Sequence, residues 1–168
     1  MLNGPRTLDR DGIARRIPHQ GRMCLLDCVL AWDPALIRCQ ANGHRDADHP
    51  LRAHGRLGAA CGVEYAAQAM ALHGALVAEG LTSDGAAAPP PRGGYLASVR
   101  GVTLHVERLD TVAGPLTVTA ERITGDDNTV LYSFTVQAGA QSLLDGRAVV
   151  VLDAAGITPG PNARSDLA

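Results

Sequence analysis

The 168-residue sequence predicts an α+β fold in which a curved antiparallel sheet wraps one long buried helix. Three observations lead there. From Gly58 to Glu79 the chain is rich in Ala, Val, Met and Leu and apolar nearly all round, as in a buried helix. Beyond residue 100 the apolar period becomes two, the pattern of half-buried strands. Ahead of the helix, Met23 to Trp32 and Leu36 to Ala41 flank Asp33-Pro34, which predicts a short hairpin.

In chain order, residues 1–16 are polar and Arg-rich and read as a loose lead-in or a short helix. The hairpin follows. Asn42 to Arg56 is too rich in Asp, His, Gly and Arg for regular structure and is expected to be a loop. Gly80 is a suitable helix terminator. Ser83 to Gly94, with three prolines and three alanines in succession, is expected to be an irregular and mobile connection. Then Val102, Leu104 and Val106 alternate with polar residues, as do Leu116, Val118 and Ala120, and Tyr132, Phe134 and Val136. Gly125-Asp-Asp-Asn128 is a hairpin turn between two of these runs. Ala148 to Leu152 closes the set, and residues after Asp153 read as a tail. The whole is one domain with its core at about residues 17–153 and flexible ends.

Composition excludes several function classes. With 46% hydrophobic and 19% charged residues the chain is globular rather than disordered. A net charge of -2 lacks the basic excess of a nucleic-acid surface. No apolar run reaches the roughly 18 residues of a membrane span, and no signal peptide is expected at the start. Cys24, Cys28, Cys39 and Cys61 are scattered, as befits buried thiols in a reducing cytoplasm. His44, His49 and His54 recur every five residues beside Asp46 and Asp48, but that spacing defines no ligand scaffold, so no metal is expected.

Chemistry concentrates between Asp48 and Gly74. Glu64 is an acidic residue on an otherwise greasy helix, where the surroundings favour the neutral carboxyl, able to give up a proton. Gln68, at i+4, shares its face and could orient it. The alternative is a Glu paired with an Arg. His49 precedes Glu64 by fifteen positions (64 − 49) in a loop, and Pro50 biases it towards extended backbone. A neutral imidazole there suits proton abstraction, and a surface histidine is the alternative. Gly58-Ala-Ala-Cys-Gly62 offers small residues at the helix start, where backbone N–H groups can polarise a carbonyl; close packing against a sheet is the other explanation.

These segments resemble the hotdog-fold β-hydroxyacyl-acyl carrier protein dehydratases. Ile17-Pro18-His19-Gln20 through Leu25-Leu26-Asp27-Cys28-Val29 resembles that family's opening motif. His49-Pro50, Gly58 and Gly62-Val-Glu64-Tyr-Ala-Ala-Gln68 resemble its active-site run, and Gly94 to Gly101 its next strand. The likeness is greatest to a smaller group of dehydratase-like proteins associated with polyene-type lipid clusters. The resemblance implies a hotdog dimer, of like or unlike subunits, with histidine and acid meeting across the interface. It implies a 3-hydroxyacyl thioester carried on the phosphopantetheine of acyl carrier protein or CoA, with no further cofactor. His49 would remove the α proton and Glu64 would protonate the departing hydroxyl. Gly58, Ala59, Gln68 and Tyr95 would line the substrate, with the amide of Gly58 or Ala59 on the thioester oxygen. The chain departs from the family pattern: the Phe after the histidine is missing, Met-Pro-Gly is replaced by Arg56-Leu57-Gly58, and the His-to-acid spacing is one residue longer. A hotdog thioesterase, or a non-catalytic partner of an active hotdog subunit, is the alternative function.

Overall fold

The computed structural model describes residues 7–81 and 94–152. Most of the expected Ser83–Gly94 connection and the expected tail after Asp153 lie outside the described residues. Seven antiparallel strands form one sheet: β1 (Leu8–Asp9), β2 (Cys28–Trp32), β3 (Leu36–Ala41), β4 (Tyr95–Leu104), β5 (Leu116–Gly125), β6 (Thr129–Ala138) and β7 (Gln141–Val151), in the order β1-β2-β3-β5-β6-β7-β4. A five-residue helix, α1 (Arg10–Ala14), and a twenty-residue helix, α2 (Gly62–Leu81), complete the fold.

The period-two runs put Val118, Ala120, Phe134, Val136, Leu144 and Ala148 on one face of the sheet, all buried. Helix α2 lies on that face and buries Tyr65, Ala66, Ala69, Met70, Leu72 and Leu76 against it. Burial of this kind is the dominant stabilising contribution, about 25 cal/mol per Å² of apolar surface. Asp33 makes the β2–β3 turn by accepting the amides of Ala35 and Leu36 on Oδ1, and Asp126 makes the β5–β6 turn by accepting those of Asn128 and Thr129.

Two elements differ from the sequence reading, and a third takes one of its two expected forms. The lead-in contains the short helix and adds a strand: Leu8–Asp9 pairs with β2, Asp9 caps α1 through the Gly12 amide, and Ile13 is wholly buried. The first strand starts at Cys28 rather than Met23, because Gly21–Met23 form a 3₁₀ turn. The last strand starts at Gln141 rather than Ala148; Asp145-Gly146-Arg147 interrupts the apolar pattern without interrupting the β6–β7 ladder.

β4 is an edge strand, paired on one side only, with β7. Four of the five large apolar side chains exposed among the described residues belong to it: Tyr95, Leu96, Val102 and Leu104. A long apolar edge of this kind is a pairing surface for another chain.

Inside the core, His73 of α2 donates Nε2–H to the Asp33 carbonyl at 2.8 Å and accepts the Tyr132 hydroxyl on Nδ1 at 2.8 Å. Burial lowers its pKa, and burial likewise pushes that of Tyr132 up to about 12. The folded protein therefore resists protonating His73, while the unfolded chain takes up that proton as pH falls below about 6.5. Stability is expected to fall as pH drops from 7.5 to 5. His73→Gln should flatten that dependence in denaturant titrations; an unchanged pH slope contradicts the assignment.

Candidate active site

Two histidines flank the first turns of α2, in separate hydrogen-bonded groups. The first is centred on Glu64. Its Oε1 lies 2.9 Å from Nε2 of His19 and accepts an amide N–H of Gln68 at 3.1 Å. Oε2 has no protein partner among the described residues. The Glu64 side chain is 32% exposed, so it is not enclosed in grease as its helix neighbours suggest. The reason is tertiary: the Ile17-Pro18-His19 turn comes in from 45 residues away (64 − 19) and supplies a polar neighbour. No guanidinium is ion-paired with Glu64 among the described residues.

Gln68 has no exposed surface and no group left over for a substrate. Its Nε2 donates to the Met23 carbonyl at 2.7 Å as well as to Glu64, and its Oε1 accepts the Leu25 amide at 2.9 Å. It is an orienting residue rather than a lining one. Arg10 holds the same segment from outside, donating to Asp27 and to the carbonyls of Gly21 and Cys24.

The second group is centred on His49, which is 7% exposed. The Leu51 amide donates to Nδ1 at 3.1 Å, so the neutral ring carries its proton on Nε2 and donates it to the Tyr65 hydroxyl at 2.9 Å. The two rings stack with centroids 6.0 Å apart. Burial lowers the His49 pKa and keeps the ring neutral at physiological pH, and burial raises that of Tyr65. Tyr65 follows Glu64 directly on α2, so one helical turn holds a member of each group. Arg22, the middle residue of the Gly21–Met23 turn, pairs with Asp48 and ties the His49 loop to the His19 segment.

The strap before α2 separates the roles of its small residues. Leu57 to Ala59 runs antiparallel to Glu107–Leu109: Leu109 donates to the Leu57 carbonyl at 2.8 Å, and Ala59 donates to the Glu107 carbonyl at 3.0 Å. The Ala59 amide, one of the two expected donors to a thioester oxygen, is thereby used. Gly58 occupies the bridge position between those two bonds, so its own N–H points away from residues 107–109. A Cβ on Gly58 would meet nothing within 4 Å. A Cβ on Gly62 would come within 2.4 Å of Leu144 Cδ2, so that glycine is there for packing. Asp110 anchors the strap by accepting the Leu57 amide and pairing with Arg108 and Arg52. The Arg108 hydrogen bond holds the Asp110 carboxyl well below the usual carboxylate range.

Tyr95 stands apart. It opens β4, is 57% exposed, and no polar or ring contact among the described residues joins it to His49 or Glu64. His44 is committed elsewhere, donating Nε2–H to the Val112 carbonyl at 3.0 Å. Among the described residues no group of three or more His, Cys, Asp or Glu side chains is placed to hold a metal ion. His19 carries no role in the sequence reading, although the signal was present in its Ile-Pro-His motif.

The ApeP-like family, described as ApeP dehydratase, matches residues 12–155. The chain belongs to the ApeP-like dehydratase family. No curated protein sequence matches it. Among solved structures it resembles the dehydratase heterocomplex ApeI:P from Xenorhabdus doucetiae, with a TM-score of 0.71, 21% identity, and 87% of this chain and 91% of that one covered. It also resembles zebra fish thioesterase superfamily member 2, at 0.55 and 12% identity over 87% and 99% of the two chains. A third similar structure is S. sahachiroi AziG, at 0.52 and 14% over 74% and 88%. This is the hotdog fold, the sheet wrapping α2.

The two glycines give a direct check on the strap. Gly62→Ala should cost about 1–3 kcal/mol in denaturant unfolding by overpacking Leu144, whereas Gly58→Ala should stay within about 0.5 kcal/mol of the parent. Equal costs at both positions contradict the division of roles.

Proposed function

We propose that this ApeP-like dehydratase removes water from 3-hydroxyacyl thioesters, carried on acyl carrier protein or CoA, to give trans-2-enoyl thioesters for fatty-acid or polyene-type lipid synthesis. The observation that carries the reading is the held carboxyl of Glu64. Its Oε1 accepts an N–H of Gln68 and lies against Nε2 of His19, which leaves Oε2 as the atom that meets substrate. Fixing a proton donor in this way is what general acid catalysis requires, and it contributes typically 10²–10⁴-fold.

In this reaction His49 is the base for the α proton; its Nε2–H rests on Tyr65 and its Nδ1 lone pair accepts the Leu51 amide, so proton transfer to Nδ1 requires that amide to give way to the substrate. The electrons of the Cα–H bond pass through an enolate and form the C=C bond. The Gly58 amide stabilises the enolate oxygen of the thioester. Glu64 gives its proton to the β-hydroxyl as the C–O bond breaks, and water leaves.

The exposed apolar edge of β4 supports pairing with a second hotdog subunit, a copy of this chain or a related one. The heterocomplex nature of ApeI:P favours the related chain. The acid and the base then come from different subunits of the pair. The four free thiols suit a cytoplasmic protein, and no helix among the described residues is long and apolar enough to cross a membrane.

One observation favours a second reading. The Nδ1 lone pair of His49 is occupied by the Leu51 amide in the single chain. A thioesterase that uses Glu64 to activate water needs no such base, and a non-catalytic partner needs neither residue.

Glu64→Gln and His49→Ala should each lower the hydration of a crotonyl thioester at least about 100-fold with the fold intact. The assay is run on the purified chain and on its complex with a hotdog partner. Thiol release from a saturated acyl-CoA should be far slower than hydration in the same preparation. Fast thiol release that depends on Glu64 but not His49 selects the thioesterase. Full activity of the complex with both residues replaced selects the non-catalytic partner.

A further inference from the structure

The His19–Glu64 contact has a consequence for the acid step, which rests on the dehydratase reading. His19 is not a casual neighbour. Gln20 donates its side-chain N–H to the carbonyls of Ala14 and Ile17, and the Ile17 amide donates to the Ile13 carbonyl, so the turn carrying His19 is fixed on both sides. Ile17 is buried and anchors it to the core. Gln68 fixes the next stretch at Met23 and Leu25. These contacts aim Nε2 of His19 at the same oxygen that Gln68 holds.

His19 Nδ1 is buried and has no hydrogen-bond partner among the described residues. The charged groups on the surrounding segments are already engaged: Arg10 with Asp27, Arg16 with Glu79, and Arg22 with Asp48. On α2, Tyr65 faces His49, and Cys61 lies one turn before Glu64 with its thiol towards the Leu51 carbonyl. The imidazole is therefore the titratable group in direct contact with the Glu64 carboxyl.

We propose that His19 is a positioning residue for the acid step, its Nε2 held against Oε1 of Glu64 so that Oε2 is presented to the β-hydroxyl. It acts through Glu64 and touches no reacting atom. In the step, the carboxyl proton moves from Oε2 to the hydroxyl oxygen, which takes both C–O electrons and departs as water. Glu64 then regains one proton from solvent through its exposed side.

The test compares His19→Ala, His19→Gln and Glu64→Gln in the full chain, assembled as the active preparation, with 3-hydroxyacyl thioester as substrate. His19→Ala should lower kcat about 100-fold with KM within about twofold. His19→Gln keeps an N–H donor for Oε1 and should recover part of the lost kcat. His19→Ala at parental kcat beside an inactive Glu64→Gln, or a His19→Gln no more active than His19→Ala, overturns the inference and leaves the dehydratase reading standing. Parental activity in Glu64→Gln overturns both.

Discussion

The amide of Gln68 is the joint on which the site depends. One side chain with no exposed surface closes three contacts: to the Met23 carbonyl, to the Leu25 amide, and to Oε1 of Glu64. The first two bind the stretch before β2 to the face of α2. The third sets the rotation of the carboxyl. A buried amide repays its desolvation only when its donors and acceptor are matched. Here the matching partners are backbone groups from one segment and the Glu64 carboxyl from another. The geometry of the acid is thus fixed by the same bonds that fix the N-terminal segment. That segment in turn delivers His19.

A second layer holds the other half of the site. Asp110 accepts the Leu57 amide and binds Arg108 and Arg52, so the strap before α2 and the loop carrying His49 share one anchor. Within the strap, the pairing with residues 107–109 consumes the Ala59 amide and turns that of Gly58 outward. Gly62 brings α2 down onto Leu144. The result is an open space beside Gly58, at the start of the helix that bears Glu64. The open β4 edge is paired on one side only.

Local patterns made much of this legible in the sequence. The helix from about residue 58 to 79 and the strands around 116–120 and 132–136 follow from their apolar periods, because burial on one face imposes the period directly. The two turns built on Asp33 and Asp126 follow from side chains that bond their own backbone. What depends on distant partners was not legible. Residues 8–14 are too few to show a period, and their order comes from Ile13 entering the core and Arg10 reaching Asp27. The first half of β7 is masked by Asp145-Gly146-Arg147, which the β6 ladder overrides. The surroundings of Glu64 were misjudged because helix neighbours are apolar while the spatial neighbour, His19, is 45 positions away (64 − 19). Likewise no spacing rule reveals that the Ala59 amide is spent on Glu107, or that the His49 ring rests on Tyr65.

The proposed reaction turns on one atom, Oε2 of Glu64. The most direct measurement is a crystal structure of the assembled protein with a 3-hydroxyacyl pantetheine amide bound. The account predicts the β-hydroxyl at about 3 Å from Oε2, with Oε1 still on Gln68 and His19. An acyl chain whose hydroxyl lies out of reach of Glu64 contradicts it, as does a carboxyl turned so that Oε1 faces the ligand.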